Sequence, residues 1–216
     1  PAGRKIKLKL AWIPAEREDA AEPDPVLMLA GGPGQSALES YPGASRAFAD
    51  LRKKRHIVLV DQRGTGGSNA LTCKENLDES QLPSPELARD YTQRCVDSLL
   101  KRADPRFYTT TEAIQDLESV RKAIGAPQLN LVGISYGTRV AQQYAARYPA
   151  TTRTIVLDSV APNSLVLGNE FARNLEDALD LQFARCAKTP SCVQRLGDPR
   201  AKLQALMKKL ETDPPL

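Results

Sequence analysis

Ile6, Leu8, Leu10 and Trp12 alternate with Lys5, Lys7, Lys9 and Ala11, and this period of two predicts a half-buried antiparallel strand. Residues 15–25 hold charges and prolines and read as a loop or hairpin connection. Residues 26–30 are a continuous apolar run, the pattern of a strand covered on both faces. That run stops at Gly31-Gly32-Pro33-Gly34-Gln35-Ser36, where no regular element can continue. A helix is expected over 44–53, and a second buried strand over 56–60 leads into Asp61-Gln62-Arg63-Gly64-Thr65-Gly66-Gly67-Ser68. Residues 69–84 read as loop. Leu87, Tyr91, Cys95 and Leu99 recur every four positions and predict a helix over 85–101. Another helix over 111–124 is capped by the threonines at 109–111 and stopped by Gly125. A strand over 129–132, a helix over 135–148 and a strand over 154–158 follow.

Short buried strands alternating with helices imply an α/β fold, a mostly parallel sheet with helices on both faces. From residue 161 the pattern changes: helices are expected over 165–186 and 199–210, and no further strand is seen. Residues 1–160 therefore read as sheet-and-helix core, and residues 161–216 as the start of a helical cap.

Composition narrows the class. The 216 residues suffice for one sizeable core, and 41% hydrophobic with 26% charged residues describes a soluble globular chain. The net charge of +4 is spread along the sequence, and runs such as Arg52-Lys53-Lys54-Arg55 are short and read as solvated faces, so no nucleic-acid partner is expected. No apolar run approaches the ~20 residues of a membrane-spanning helix. Pro1-Ala2-Gly3-Arg4 opens the sequence abruptly without a signal peptide, so any targeting segment is expected to have been removed or left out.

The cysteines are Cys73, Cys95, Cys186 and Cys192, and proximity favours pairing Cys73 with Cys95 and Cys186 with Cys192. Two such disulfides would place the protein outside the reducing cytosol, secreted or periplasmic; four free thiols in a cytoplasmic protein are the alternative. No Cys-x-x-Cys occurs and His56 lies in a strand-like run, so no metal site is expected.

Gly133-Ile134-Ser135-Tyr136-Gly137 matches the Gly-x-Ser-x-Gly turn, in its required context of strand before and helix after. The turn is so tight that its central residue must sit in strained backbone, while side chains at 133 and 137 would collide with neighbouring backbone. Ser135 is thereby lifted above the sheet at a helix N-terminus, the position of a nucleophile next to groups that favour negative charge. An oxyanion hole needs two N–H donors: one is expected from Tyr136, the other from Gly32 in the Gly31-Gly32-Pro33-Gly34 loop.

Together, the segments 31–36, 61–68 and 133–137 resemble the proline iminopeptidase branch of the α/β-hydrolases, and within it the secreted tripeptidyl aminopeptidases. The resemblance spans roughly residues 26–160. It implies an α/β-hydrolase fold with a helical cap inserted after the strand ending at Asp158. It also implies an exopeptidase acting on peptide N-termini without metal or organic cofactor. Asp61 and Arg63, in a loop that shapes the site floor, then act as supports and not as catalysts, and Gly31, Gly34, Gly133 and Gly137 are supporting positions too.

In α/β-hydrolases the triad acid and histidine follow the serine, yet no histidine follows Ser135. His56 lies on the wrong side of it in chain order and reads as a strand-edge residue. Asp158 reads as a strand-end cap, and Asp177, Asp180, Asp198 and Asp213 as surface charges; Glu170 and Glu176 fall in the cap. The expectation is a truncated domain whose missing C-terminal half, on the same or a separate chain, supplies acid and base. A serine hydrolase of the aminopeptidase type fits these features. An esterase or lipase with the same turn, or a catalytically inert fragment, are the alternatives.

Overall fold

The computed structural model describes residues 5–73 and 84–212, so the reading of 74–83 as loop, and those of residues 1–4 and Asp213, lie outside the described residues. The chain divides into two compact units between Asn163 and Ser164.

The first unit is built on a five-stranded sheet of order β1-β3-β2-β4-β5. Its strands are β1 (Leu10–Ile13), β2 (Val26–Leu29), β3 (Ile57–Val60), β4 (Leu129–Ile134) and β5 (Thr152–Asp158). β1 runs antiparallel to β3, with Leu10 opposite Val60, and the remaining neighbours are parallel. Alternating side chains of the buried strands supply two cores. Leu27, Leu29, Val58, Val60 and Leu131 face α4 (Thr110–Ala123) and α5 (Tyr136–Arg147), meeting Ile114, Leu117, Val140 and Tyr144. Val26, Met28, Ile57 and Leu59 face the other way, towards Phe48 and α1 (Ala37–Ala44). Each of these large side chains contributes roughly 1.5–3 kcal/mol by leaving water.

This winding positions the site. β2 and β4 are neighbours, but the chain leaves β2 for β3 on one side and leaves β4 for β5 on the other. The helices that follow them, α1 and α5, pack on opposite faces. The loops after β2 and β4 therefore part at the carboxyl ends of the strands, where open α/β sheets form their crevice. The opposite end is closed by structural charges: the Asp24 carboxylate accepts from Arg55 Nε at 2.9 Å and from Asn130 Nδ2 at 2.6 Å.

Some boundaries differ from expectation. The helix expected over 44–53 starts earlier, as α1, then passes through a 3-10 turn at Ser45–Phe48 into the one-turn α2 (Ala49–Arg52). Ser36 begins it by accepting from the Glu39 N–H, a helix-start signal hidden in the glycine-proline loop. Among the described residues β5 is paired on one side only, and Ile155 and Val156 remain 42% and 54% exposed rather than buried. α3 (Pro85–Leu100) lies where helical spacing places it, and Cys95 on it is bonded to Cys73.

The second unit is helical: α6 (Phe171–Ala187), α7 (Pro190–Leu196) and α8 (Pro199–Thr212). α6 begins six residues after the expected 165, beyond Gly168, whose φ of 89° no helix accommodates. α7 was not expected; the Cys186–Cys192 disulfide ties it to the end of α6. Arg200 of α8 pairs with Glu176 and Asp180 of α6 and lies over the Phe183 ring, 5.1 Å from its centre. Asp198 caps α8, accepting from the Arg200 and Ala201 N–H groups.

Candidate active site

Ser135 alone turns the chain from β4 into α5, at φ 54° and ψ −120°. For a residue with a side chain that conformation costs on the order of 1–3 kcal/mol, and surrounding bonds must hold it. The Ser135 N–H donates to the Asp158 carbonyl at 2.8 Å, and the Ser135 carbonyl accepts from the Thr138 N–H and hydroxyl at 3.0 and 2.6 Å. The flanking glycines are sterically required. A Cβ on Gly133 would lie 2.5 Å from the Gly137 carbonyl oxygen, and one on Gly137 only 2.1 Å from that of Leu29. Ser135 is exposed, and its hydroxyl has no hydrogen-bond partner among the described residues.

The loop after β2 comes alongside. A Cβ on Gly31 would be 3.1 Å from Ser135 Cβ, and equally close to the Ile134 carbonyl oxygen and Gln35 Oε1. Gly32 and Gly34 take φ of 102° and 108° around a cis Gly32–Pro33 bond, backbone open only to glycine at both positions. Among the described residues no protein group accepts from the N–H of Gly32 or of Tyr136.

Asp61 and Arg63 fix this arrangement from behind. The buried Asp61 carboxylate accepts from the Ser36 hydroxyl at 2.6 Å, the Leu38 N–H at 3.2 Å and the Gly67 N–H at 2.9 Å. It thereby joins the loop after β2 to the loop after β3. Arg63 makes a two-pronged pair with Asp116 of α4, at 2.6 and 2.7 Å, and donates to the Phe107 carbonyl at 2.6 Å. The Asp116 carboxylate bonded to it raises the Arg63 pKa further. Between these loops and α4 lies a cleft of about 230 Å³, walled by Pro33, Gly34, Gln62, Tyr108, Thr110 and Tyr136.

α4 is also locked to α5. The buried Glu118 carboxylate accepts from Arg121 at 2.7 and 2.8 Å and from the Tyr144 hydroxyl at 2.8 Å. The Arg121 guanidinium holds the Glu118 pKa down at about 2 despite burial, and burial pushes the Tyr144 phenol up.

His56 sits at the opposite end of the sheet, just before β3. Its Nδ1 accepts from the Ala15 N–H at 3.2 Å, and its ring packs on Trp12 at 4.5 Å. Asp158 ends β5 beside the turn, but among the described residues its carboxylate accepts only from the Ser159 hydroxyl, at 3.1 Å. The structure thus gathers Ser135, Gly31, Gly32, Gly34, Tyr136, Asp61 and Arg63 at one end of the sheet. Ser36, Thr110, Asp116 and Thr138 belong to the same assembly, although in the sequence Ser36 reads only as the end of the glycine-proline loop and Thr110 only as part of a helix cap. Only Ser36 carried a signal, the Ser-x-x-Glu helix start.

The alpha/beta hydrolase fold family model matches residues 24–199, and the chain belongs to that family. Among its relatives, the serine protease Hip1 of Mycobacterium tuberculosis (strain ATCC 25618 / H37Rv) is 30% identical over 214 residues, covering 89% of this chain and 40% of that protein. The tripeptidyl aminopeptidase of Streptomyces lividans is 28% identical over 178 residues, 74% of this chain and 33% of that protein. A crystal structure of proline iminopeptidase from Mycobacterium smegmatis matches with a TM-score of 0.53 at 21% identity, covering 95% of this chain and 57% of that one, a likeness of fold. The chain thus spans well under half the length of the two curated relatives.

Proposed function

We propose that this chain is the nucleophile-bearing part of a serine hydrolase, an aminopeptidase of the proline iminopeptidase and tripeptidyl aminopeptidase type. The observation that carries the reading is Ser135 itself: a hydroxyl on a strained strand-to-helix turn, pressed against a glycine loop with unclaimed N–H groups. In this reading Ser135 Oγ bonds to the peptide carbonyl carbon while its proton passes to a base. The oxyanion lies between the N–H groups of Gly32 and Tyr136, each worth roughly 3 kcal/mol of barrier. The C–N bond then breaks, the leaving amine takes the proton, and water hydrolyses the acyl-enzyme.

The base and its acid partner come from outside these 216 residues: the chain's single histidine is at the far end of the sheet, and the relatives are more than twice as long. In this reading the helices from Ser164 onward are the start of a helical cap. Peptide substrates are supported by relatives named serine protease and tripeptidyl aminopeptidase. The Cys73–Cys95 and Cys186–Cys192 bonds favour a location outside the cytoplasm.

A fluorophosphonate probe should label Ser135 in the full-length protein and leave the Ser135→Ala variant unlabelled. Absence of labelling in a folded protein refutes the reading. Faster turnover of peptidyl anilides than of short acyl esters supports the peptidase, and the reverse an esterase. The 216-residue chain alone should turn over neither.

A further inference from the structure

The reaction above uses the backbone of Tyr136 but not its side chain. That phenol is hydrogen-bonded to the Thr110 hydroxyl, across 26 positions of sequence. Both residues are half-buried and both wall the cleft beside Pro33 and Gly34. Thr110 opens α4, and the Thr109 hydroxyl caps that helix by accepting from the Glu112 N–H at 3.4 Å. Farther along, Asp116 holds Arg63 of the loop after β3, and Glu118 holds Tyr144 of α5. α4 is therefore a fixed strut, and its first residue reaches the residue that follows the nucleophile.

The peptide between Ser135 and Tyr136 decides where the Tyr136 N–H points. On the Ser135 side it is fixed through the Asp158 carbonyl and through Thr138. On the Tyr136 side the side-chain anchor is Thr110. An oxyanion donor misdirected by a fraction of an ångström loses much of its effect, because its value lies in pre-set aim.

We propose that Thr110 is a positioning residue for the oxyanion site, its hydroxyl anchoring the Tyr136 phenol so that the Tyr136 N–H stays aimed at the substrate's carbonyl oxygen. The proposal rests on Ser135 being the nucleophile. Fluorophosphonate labelling separates the two: if wild type is not labelled, the nucleophile reading fails, whereas the Thr110 proposal is tested by changes among labelled variants.

The test uses full-length protein and the variants Thr110→Val, Thr110→Ser, Tyr136→Phe and the double variant Thr110→Val/Tyr136→Phe. Thr110→Val and Tyr136→Phe should each lower kcat about 10-fold with KM within about twofold, less than the ~10²–10³ lost with a whole donor. Thr110→Ser should recover most of the rate. The double variant should be no slower than either single one, since both remove one interaction. Affinity for a peptidyl trifluoromethyl ketone, which places an oxyanion in the site, should fall in parallel with kcat/KM. Thermal midpoints near wild type would exclude general unfolding as the cause. Unchanged kcat in folded Tyr136→Phe, or multiplying losses in the double variant, overturns the proposal.

Discussion

The Ser36 hydroxyl donates to the Asp61 carboxylate at 2.6 Å, binding the start of α1 to the loop after β3. The same Ser36 oxygen accepts from the Glu39 N–H at 3.1 Å, so one side chain both starts a helix and fastens a loop. Asp61→Ala would leave a buried hydroxyl and two N–H groups without their acceptor, at about 1–3 kcal/mol per group. We expect a lower urea midpoint and slower fluorophosphonate labelling of Ser135. Unchanged values for both would mean that Asp61 does not organise the glycine loop.

Gly31 and Gly137 should respond differently to an added methyl group. At Gly137 it meets rigid backbone at 2.1 Å, so Gly137→Ala should abolish soluble folded protein. At Gly31 the nearest atoms are at 3.1 Å and include the Gln35 side chain, which can move aside. Gly31→Ala should fold, with a near-native circular dichroism spectrum, but label more slowly at Ser135. Normal folding of Gly137→Ala would contradict the packing described.

Glu118 sets an acid limit on stability. Its folded pKa is about 2 against 4.5 for the free side chain, so its contribution is fully present above about pH 4.5 and lost as pH falls towards 2. A shift of that size corresponds to roughly 3 kcal/mol. Glu118→Gln should be less stable than wild type at pH 7, with the difference shrinking between pH 4.5 and 2. Denaturant midpoints measured at several pH values in that window check this; a constant difference would count against it.

The Cys186–Cys192 bond closes a short loop at the α6–α7 junction. Replacing both cysteines with serine should cost about 2 kcal/mol within the helical unit. In unreduced, denatured protein, thiol titration should find none of the four cysteines free. Two or more titratable thiols would argue against an oxidising location.

The nucleophile turn was legible in sequence because it is a local steric problem: two tight contacts with backbone demand glycine at fixed distances from Ser135. β2 and β3 were legible because a strand covered on both faces must be apolar throughout. The start of α1 was not, since Ser36 closes a glycine-proline run and serves equally well as the end of a loop. α7 was missed because its single disulfide-tied stretch is too short to show a helical period. β5 has the composition of a buried strand and gives no local sign that, among the described residues, β4 is its one strand partner. Thr110 with Tyr136, and Arg63 with Asp116, meet only after the chain has wound around the sheet, so no spacing rule announces them.

β5 also bears on handling the molecule. A border strand that presents Ile155 and Val156, and that among the described residues pairs with β4 alone, invites any similar strand to add to it, including another molecule's. Preparations of these 216 residues alone should therefore clump as they become more concentrated, and yield on refolding should depend on dilution more than on temperature.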